Sequence, residues 1–176
     1  HPSRVALAGV SLADGGVGRT ILGNLRRCEA LSGNLVLLKP GQEHFLGLPC
    51  LSGVAELRKE PVDLLILALP AEATVEAVEM LIAQGGGAAV VGLVAGGIGD
   101  GADRQDLAAR LRAELQEARE IGRWTPALIG PNFLGHWVAT QDLDTSFIPV
   151  EKMAAPSSEG GPVALLSQSG ASLLSR

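Results

Sequence analysis

The sequence predicts an α/β protein with a doubly wound parallel sheet. Short apolar runs alternate along the chain with segments in which apolar residues recur at helical spacing. One run, residues 62–69, is almost continuously apolar, which is typical of a central strand covered by helices on both faces. Glycine-rich turns follow the first and fourth runs, where a strand would pass into a helix.

Five strands and three helices account for this alternation. The predicted strands are residues 4–10, 34–38, 62–69, 88–94 and 127–129. The first helix is predicted from the apolar repeat of Val17, Ile21, Leu22 and Leu25, and the other two cover residues 72–84 and about 102–121. In the last helix Asp106 and Arg110 stand at the spacing of a helical ion pair. Residues 130–149 are interpreted as loop with short β structure.

Length and composition favour one domain followed by the start of another. The chain has 176 residues, of which 47% are apolar, enough for a buried core. Residues 151–162 are rich in proline, glycine and serine and form the expected linker. We therefore expect an α/β domain over residues 1–150. Residues 163–176 would begin a second domain, with a strand at 163–166 followed by a loop and a helix.

Composition also argues against several classes of function. The net charge is −5 and aromatic residues make up 3%, which disfavours a nucleic-acid surface. No apolar run reaches the ~18 residues of a membrane-spanning helix. The two cysteines, Cys28 and Cys50, lack a CxxC spacing, so we expect reduced thiols in a cytoplasmic protein rather than a disulfide or a metal site.

A glycine turn, residues 9–18, joins the first strand to the first helix. Its glycines fit neither the G-x-G-x-x-G dinucleotide fingerprint nor a P-loop, which ends in Gly-Lys-Ser/Thr. The turn nevertheless leads to a helix N-terminus, where unpaired N–H groups and the helix dipole attract anions. Ser11 adds a hydroxyl group and Arg19 a positive charge. We expect this turn to bind a phosphate; the alternative is that its glycines serve only the geometry of the turn.

Lys39 ends the second predicted strand. NAD-binding folds place an acidic residue at this position to hold the ribose hydroxyls. A lysine here would instead attract a phosphorylated ribose, as in NADP or coenzyme A (CoA). The alternative is a solvated lysine at the end of a strand.

Six segments occur in the order and spacing of a known family. They read VALAGVS, VGRTILGNL, LGLPCLSGVAEL, PVDLLILALPAEAT, IGPNFLG and GPVALLSQSGA. Through them the chain resembles the NDP-forming acyl-CoA synthetases, including ADP-forming acetate–CoA ligase, and more distantly the succinyl-CoA synthetase alpha subunit. The resemblance covers residues 4–176, and IGPNFLG and VALLSQSGA are its most specific pieces.

This resemblance implies a Rossmann-like CoA-binding domain followed by a flavodoxin-like domain. It places the cofactor at the glycine turn and at the carboxyl ends of the second, third and fourth strands. The implied CoA-binding residues are Gly9, Ser11, Gly15, Gly16, Val17, Gly18, Lys39, Pro40, Gln42, Pro70, Ala71, Ala95 and Gly96. Asn132 is interpreted either as a turn residue or as part of the site. Phe133 replaces a cysteine that is usual in the family, which we expect to alter packing more than chemistry.

The resemblance also implies a reaction. Family members interconvert acyl-CoA, ADP and phosphate with acid, CoA and ATP through a phosphohistidine. That histidine belongs to the remaining alpha-type domain, and ATP or ADP with Mg belongs to an ATP-grasp domain, either fused or in a beta-type subunit. Here the loop with Ser169 and Gly170 would face the phosphohistidine, whereas His1, His44 and His136 are interpreted as surface or packing residues. The segment alone is expected to be inactive. The sequence leaves the oligomeric state open, with a homo- or a hetero-oligomer as the alternatives to a monomer.

Two other functions fit parts of the pattern. A CoA-sensing regulatory module would lack the histidine-bearing and ATP-grasp domains. An NADP-binding oxidoreductase domain is supported only by the predicted sheet and by Lys39, and the sequence offers no candidate residues for a hydride-acceptor site.

Overall fold

The described part of the chain folds around a mostly parallel sheet with helices on both faces. The structure, a computed structural model, describes residues 2–12, 15–99, 105–152 and 164–167. The sheet strands are β1 Val5–Ala8, β2 Leu35–Leu38, β3 His44–Phe45, β4 Leu48–Leu51, β5 Val62–Leu67, β6 Ala88–Leu93 and β7 Ala127–Ile129. Their order across the sheet is β3-β4-β2-β1-β5-β6-β7, and every neighbouring pair is parallel except β3 and β4.

Among the residues that the structure describes, three α-helices cover the sheet, as the apolar repeats predict. They are α1 Val17–Leu25, α2 Ala71–Gln84 and α3 Gln105–Glu120. Successive residues of β1 alternate between two cores: Val5 and Leu7 pack with α1, whereas Ala6 and Ala8 pack with α2 and α3. All four are 0–3% exposed. The doubly wound α/β class is therefore confirmed.

The winding reverses at β1. From β1 the chain passes through α1 to β2 on one side, and later returns to β5 on the other side. Because α/β sheets bind ligands beyond the carboxyl ends of the strands at such a reversal, the ends of β1 and β5 mark the expected crevice.

The hairpin formed by β3 and β4 was not predicted, and the placement of His44 in a loop is wrong. His44 begins the short edge strand β3, which is antiparallel to β4. Leu46 and Gly47 connect the two strands with positive φ angles of 53° and 78°. Leucine is unusual at such a turn position, where Asn, Asp or Gly is normal, so the local signal for a hairpin is weak.

Residues 130–149 contain short β structure, as expected. The strands β8 Trp137–Val138 and β9 Leu143–Asp144 pair antiparallel, and the segment packs on α1. The buried Asn24 of α1 donates from Nδ2 to the carbonyl oxygens of Ser146 and Ile148, both at 2.9 Å. The last part of the domain is thus attached to the helix that follows the glycine turn.

Two local predictions at other places are wrong. Arg110 does not pair with Asp106; instead it donates from Nε and Nη2 to the carboxylate of Glu79 in α2, at 2.6 and 2.5 Å. Helical spacing identifies neighbours within one helix, but not a competing acid on an adjacent helix. Residues 164–167 are not in a strand, and the rest of the predicted strand, loop and helix at 163–176 lies outside the described residues.

Candidate functional site

Gly9 brings the end of β1 into direct backbone contact with the end of β5. Its φ is +90°, and a Cβ built on it would lie 2.0 Å from the carbonyl oxygen of Ala68. A side chain would therefore collide with the backbone just after the neighbouring strand β5. Glycine is required at this position by both its conformation and its surroundings.

Gly18 allows α1 to begin directly against β1. A Cβ on Gly18 would lie 2.4 Å from the Gly9 carbonyl oxygen. Gly15 has a φ of +80° and open space around it, so it serves the conformation of the turn. Ser11, before Gly15, and Val17, after it, are both exposed. The described part of the glycine turn, residues 9–12 and 15–18, thus holds a helix N-terminus at the reversal point of the sheet.

The N-terminus of α1 is chemically suited to an anion. Within the described residues, no side chain caps it, and its first turn contains no acidic residue. The first N–H groups of a helix have no partner within the helix itself, and the helix dipole places roughly half a positive charge there. Arg19 lies half-buried in the same turn.

Lys39 connects the end of β2 to the glycine turn. Its Nζ donates to the carbonyl oxygen of Val10 at 3.2 Å and lies 4.2 Å from the ring centroid of Phe45. Pro40 and Gln42 lie beyond it and are exposed. The structure therefore brings the Lys39 side chain against the glycine turn. Phe45 was missed by the sequence analysis because its strand is only two residues long.

Pro70 and Ala71, predicted to line the site after the strand that the structure shows as β5, lie at the start of α2. Pro70 occupies the N-cap position, and its carbonyl oxygen accepts a bond from the N–H of Thr74 at 2.9 Å. The buried Thr74 also donates from Oγ1 to the Leu69 carbonyl oxygen at 3.2 Å. The end of β5 is therefore fixed to the first turn of α2, next to Gly9.

Ala95 and Gly96, after β6, are covered by the IGPNFLG segment. The Ala95 carbonyl oxygen accepts from the Asn132 N–H at 3.1 Å, and a Cβ on Gly96 would lie 2.8 Å from Asn132 Oδ1. Asn132 has a φ of 57°, so it is a turn residue that also contacts a predicted site residue.

Phe133 is 8% exposed and lies over Gly92, where a Cβ would be 2.8 Å from its ring. Phe133 is therefore a packing residue here, while its effect relative to the family's cysteine stays a prediction.

His44 and His136 occupy positions that fit surface and packing roles, whereas His1 lies outside the described residues. His44 is exposed. His136 is half-buried, and its Nδ1 lies 3.1 Å from Thr145 Oγ1. Burial lowers the pKa of His136, an effect that the nearby carboxylate of Asp144 partly opposes. Ser169 and Gly170, predicted to face a phosphohistidine, also lie outside the described residues.

Both cysteines are free thiols, with Cys28 buried and Cys50 half-buried. Burial raises the pKa of Cys50, and the positive charge of Lys39 partly offsets this. Over the part of the chain that the structure describes, no three His, Cys, Asp or Glu residues are grouped to hold a metal ion. No helix in the same residues is both long and apolar enough to cross a membrane.

The fold is that of a doubly wound α/β domain whose first strand–helix turn departs from the dinucleotide fingerprint. Residues 3–123 match the family described as CoA binding domain, and the chain belongs to this family. It is 36% identical over 174 residues to an ADP-forming acetate–CoA ligase of Archaeoglobus fulgidus, and 29% identical over 171 residues to a trans-feruloyl-CoA synthase of an unknown prokaryotic organism. These alignments cover 99% and 97% of this chain but 23% of each relative, so the chain spans about a quarter of their length.

A solved structure has the same fold. It is a dinucleotide-forming acetyl-coenzyme A synthetase of Candidatus Korarchaeum cryptofilum, in complex with phosphate and ADP. The TM-score is 0.65 at 20% identity, over 84% of this chain and 29% of the other. The Rossmann-like architecture is thereby confirmed independently of the sequence motifs.

Proposed function

We propose that this chain is the CoA-binding portion of an NDP-forming acid–CoA ligase. The complete enzyme would convert acyl-CoA, ADP and phosphate into acid, CoA and ATP, and run the same reaction in reverse. Residues 1–150 would form the CoA-binding domain, residues 151–162 the linker, and residues 163–176 the start of the next domain. The curated relatives, about four times as long, support an assignment to one part of a larger enzyme.

One observation carries the proposal for CoA. The uncapped N-terminus of α1 is held against the end of β1 by the close approach of Gly9 and Gly18, in a chain of the CoA binding domain family. Backbone N–H groups in this arrangement suit a pyrophosphate, which carries negative charge and only acceptor oxygens. CoA carries such a pyrophosphate between its nucleotide and its pantetheine arm.

The other predicted residues complete the proposed site. The exposed Pro40 and Gln42, after Lys39, would approach the nucleotide end of CoA. Pro70 and Ala71, with Ala95 and Gly96, would line the crevice beyond β5 and β6. All of these lie after the carboxyl ends of parallel strands, where ligands of this fold class bind.

Catalysis would require groups outside the described residues. The phosphohistidine would come from the remaining alpha-type domain, facing the loop of Ser169 and Gly170. ATP or ADP with Mg would bind an ATP-grasp domain, fused or in a separate beta-type subunit. We place the enzyme in the cytoplasm, in keeping with its two free thiols.

Calorimetric titration of the purified chain tests the cofactor. We expect CoA and 3′-dephospho-CoA to bind and NADPH to bind more weakly. Preferential binding of NADPH would instead favour the oxidoreductase alternative. A titration in which CoA gives no binding heat at millimolar concentration would refute the proposal.

A matched pair of glycine variants localises the site. Gly15 and Gly33 are both exposed, have φ angles of +80° and +76°, and would have nothing within 4 Å of an added Cβ. Alanine at either position should cost a similar ~1–2 kcal/mol of stability through left-handed strain. Only Gly15 lies in the glycine turn, so G15A should weaken CoA binding while G33A leaves it unchanged. Equal effects on CoA affinity would place the ligand elsewhere.

A further inference from the structure

The ammonium group of Lys39 is turned towards the protein. It donates to the carbonyl oxygen of Val10 at 3.2 Å and stands 4.2 Å above the ring of Phe45. The Lys39 side chain is half-buried, and its backbone N–H donates to the Leu51 carbonyl oxygen at 2.8 Å. Two neighbouring groups thus determine where the charge lies.

The β3–β4 hairpin supplies one of these groups. Phe45 is 7% exposed and packs in the core on the α1 side of the sheet. A cation over an aromatic face is attracted to the ring, so Phe45 holds the ammonium group beside the glycine turn. The hairpin that the sequence analysis missed therefore acts on the site through Lys39.

The contact with Val10 has a consequence for the next residue. The carbonyl group of Val10 and the N–H group of Ser11 belong to one peptide unit, which is planar, and in a trans unit they point in opposite directions. Among the described residues the cis peptide bond is Gly130–Pro131, so the Val10–Ser11 unit is trans. By holding the carbonyl oxygen, Lys39 therefore fixes the direction in which the Ser11 N–H points.

We propose that Lys39 is a positioning residue that orients the Val10–Ser11 peptide for the pyrophosphate of CoA. This inference rests on the proposed function and assigns Lys39 a role other than binding a ribose phosphate. A lysine bound directly to the 3′-phosphate would matter only for CoA. A lysine that orients the peptide matters equally for CoA and for 3′-dephospho-CoA.

The test compares Lys39→Met with Lys59→Met in the full chain. Methionine retains an apolar stem but cannot donate a hydrogen bond, and Lys59 is an exposed lysine outside the site. We expect K39M to weaken both ligands by about tenfold, the size of one charged hydrogen bond. K59M should change neither affinity, and Lys39→Arg should restore part of the loss for both ligands. Phe45→Leu should weaken both ligands to a smaller, equal extent.

A second measurement requires no ligand. The ¹⁵N–¹H resonance of Ser11 should shift in K39M and stay in place in K59M, because a bond to a carbonyl group polarises the amide of the same peptide. Loss of CoA affinity with unchanged dephospho-CoA affinity would overturn the positioning role and leave the proposed function standing. An unmoved Ser11 resonance would overturn it as well. Absence of CoA binding by the unsubstituted chain would overturn both proposals.

Discussion

The Gly9 carbonyl oxygen lies 2.4 Å from the point where a Cβ would stand on Gly18. The backbone immediately after β1 therefore lies directly against the first turn of α1. It performs the close helix–strand packing that the third glycine of a dinucleotide fingerprint normally provides. The chain therefore reaches a familiar geometry with an unfamiliar glycine spacing.

A pair of alanine substitutions within α1 tests this contact. Gly18 and Gly23 are both in the helix, but a Cβ on Gly23 meets open space. G18A should lower the free energy of unfolding by about 2 kcal/mol or more, because backbone must move to accommodate the methyl group. G23A should raise it by about 0.5–1 kcal/mol, since alanine favours an exposed helix position. Urea unfolding measures both, and a G18A protein as stable as G23A would contradict the packing role.

Asn24 should be important for stability although it lies outside the crevice. Asn24 is 3% exposed, and its side-chain amide donates hydrogen bonds to the carbonyl oxygens of Ser146 and Ile148. Asn24→Ala would leave these acceptors without their donor and should cost about 2–3 kcal/mol in urea unfolding. The exposed Asn34→Ala is the control, with an expected change within ~0.5 kcal/mol. Similar losses in the two variants would show that the buried bonds are not responsible.

Stability should depend on pH through His136. Burial lowers its pKa in the folded state below the ordinary 6.5, so the unfolded chain binds the proton more tightly. The stabilisation is therefore complete above pH 6.5 and decreases as the pH falls towards the folded pKa. His136→Gln should reduce the loss of stability between about pH 7 and 5. The same substitution at the exposed His44 should leave that pH dependence unchanged, and identical profiles for both variants would refute the prediction.

Cys50 should react slowly with alkylating reagents. Its raised pKa reduces the thiolate fraction at neutral pH, and the thiolate is the reactive form. Because the charge of Lys39 lowers this pKa, K39M should slow alkylation of Cys50 further. Peptide mass spectrometry after iodoacetamide treatment follows Cys50 separately from the buried Cys28. Faster reaction of Cys50 in K39M would mean that the two side chains do not interact as described.

Prediction succeeded where the signal is local and periodic. The apolar repeats of α1 and α2 and the continuous run of β5 correspond to observed elements within a few residues. It failed at the β3–β4 hairpin, whose strands of two and four residues are too short to show a period. It also failed for Arg110, because the partner Glu79 belongs to a helix far away in the sequence.

The amino-acid sequence by itself determined the alternation of strands and helices, the glycine turn at the first strand end, and the family. These properties are carried by nearby residues and by motif order. Tertiary structure decided what individual residues in the turn contact. Position 9 must be glycine because the backbone of Ala68, just after β5, lies against it, and the ammonium group of Lys39 is positioned by Val10 and Phe45. Such contacts depend on which strands become neighbours in the sheet, and spacing along the chain does not encode that directly.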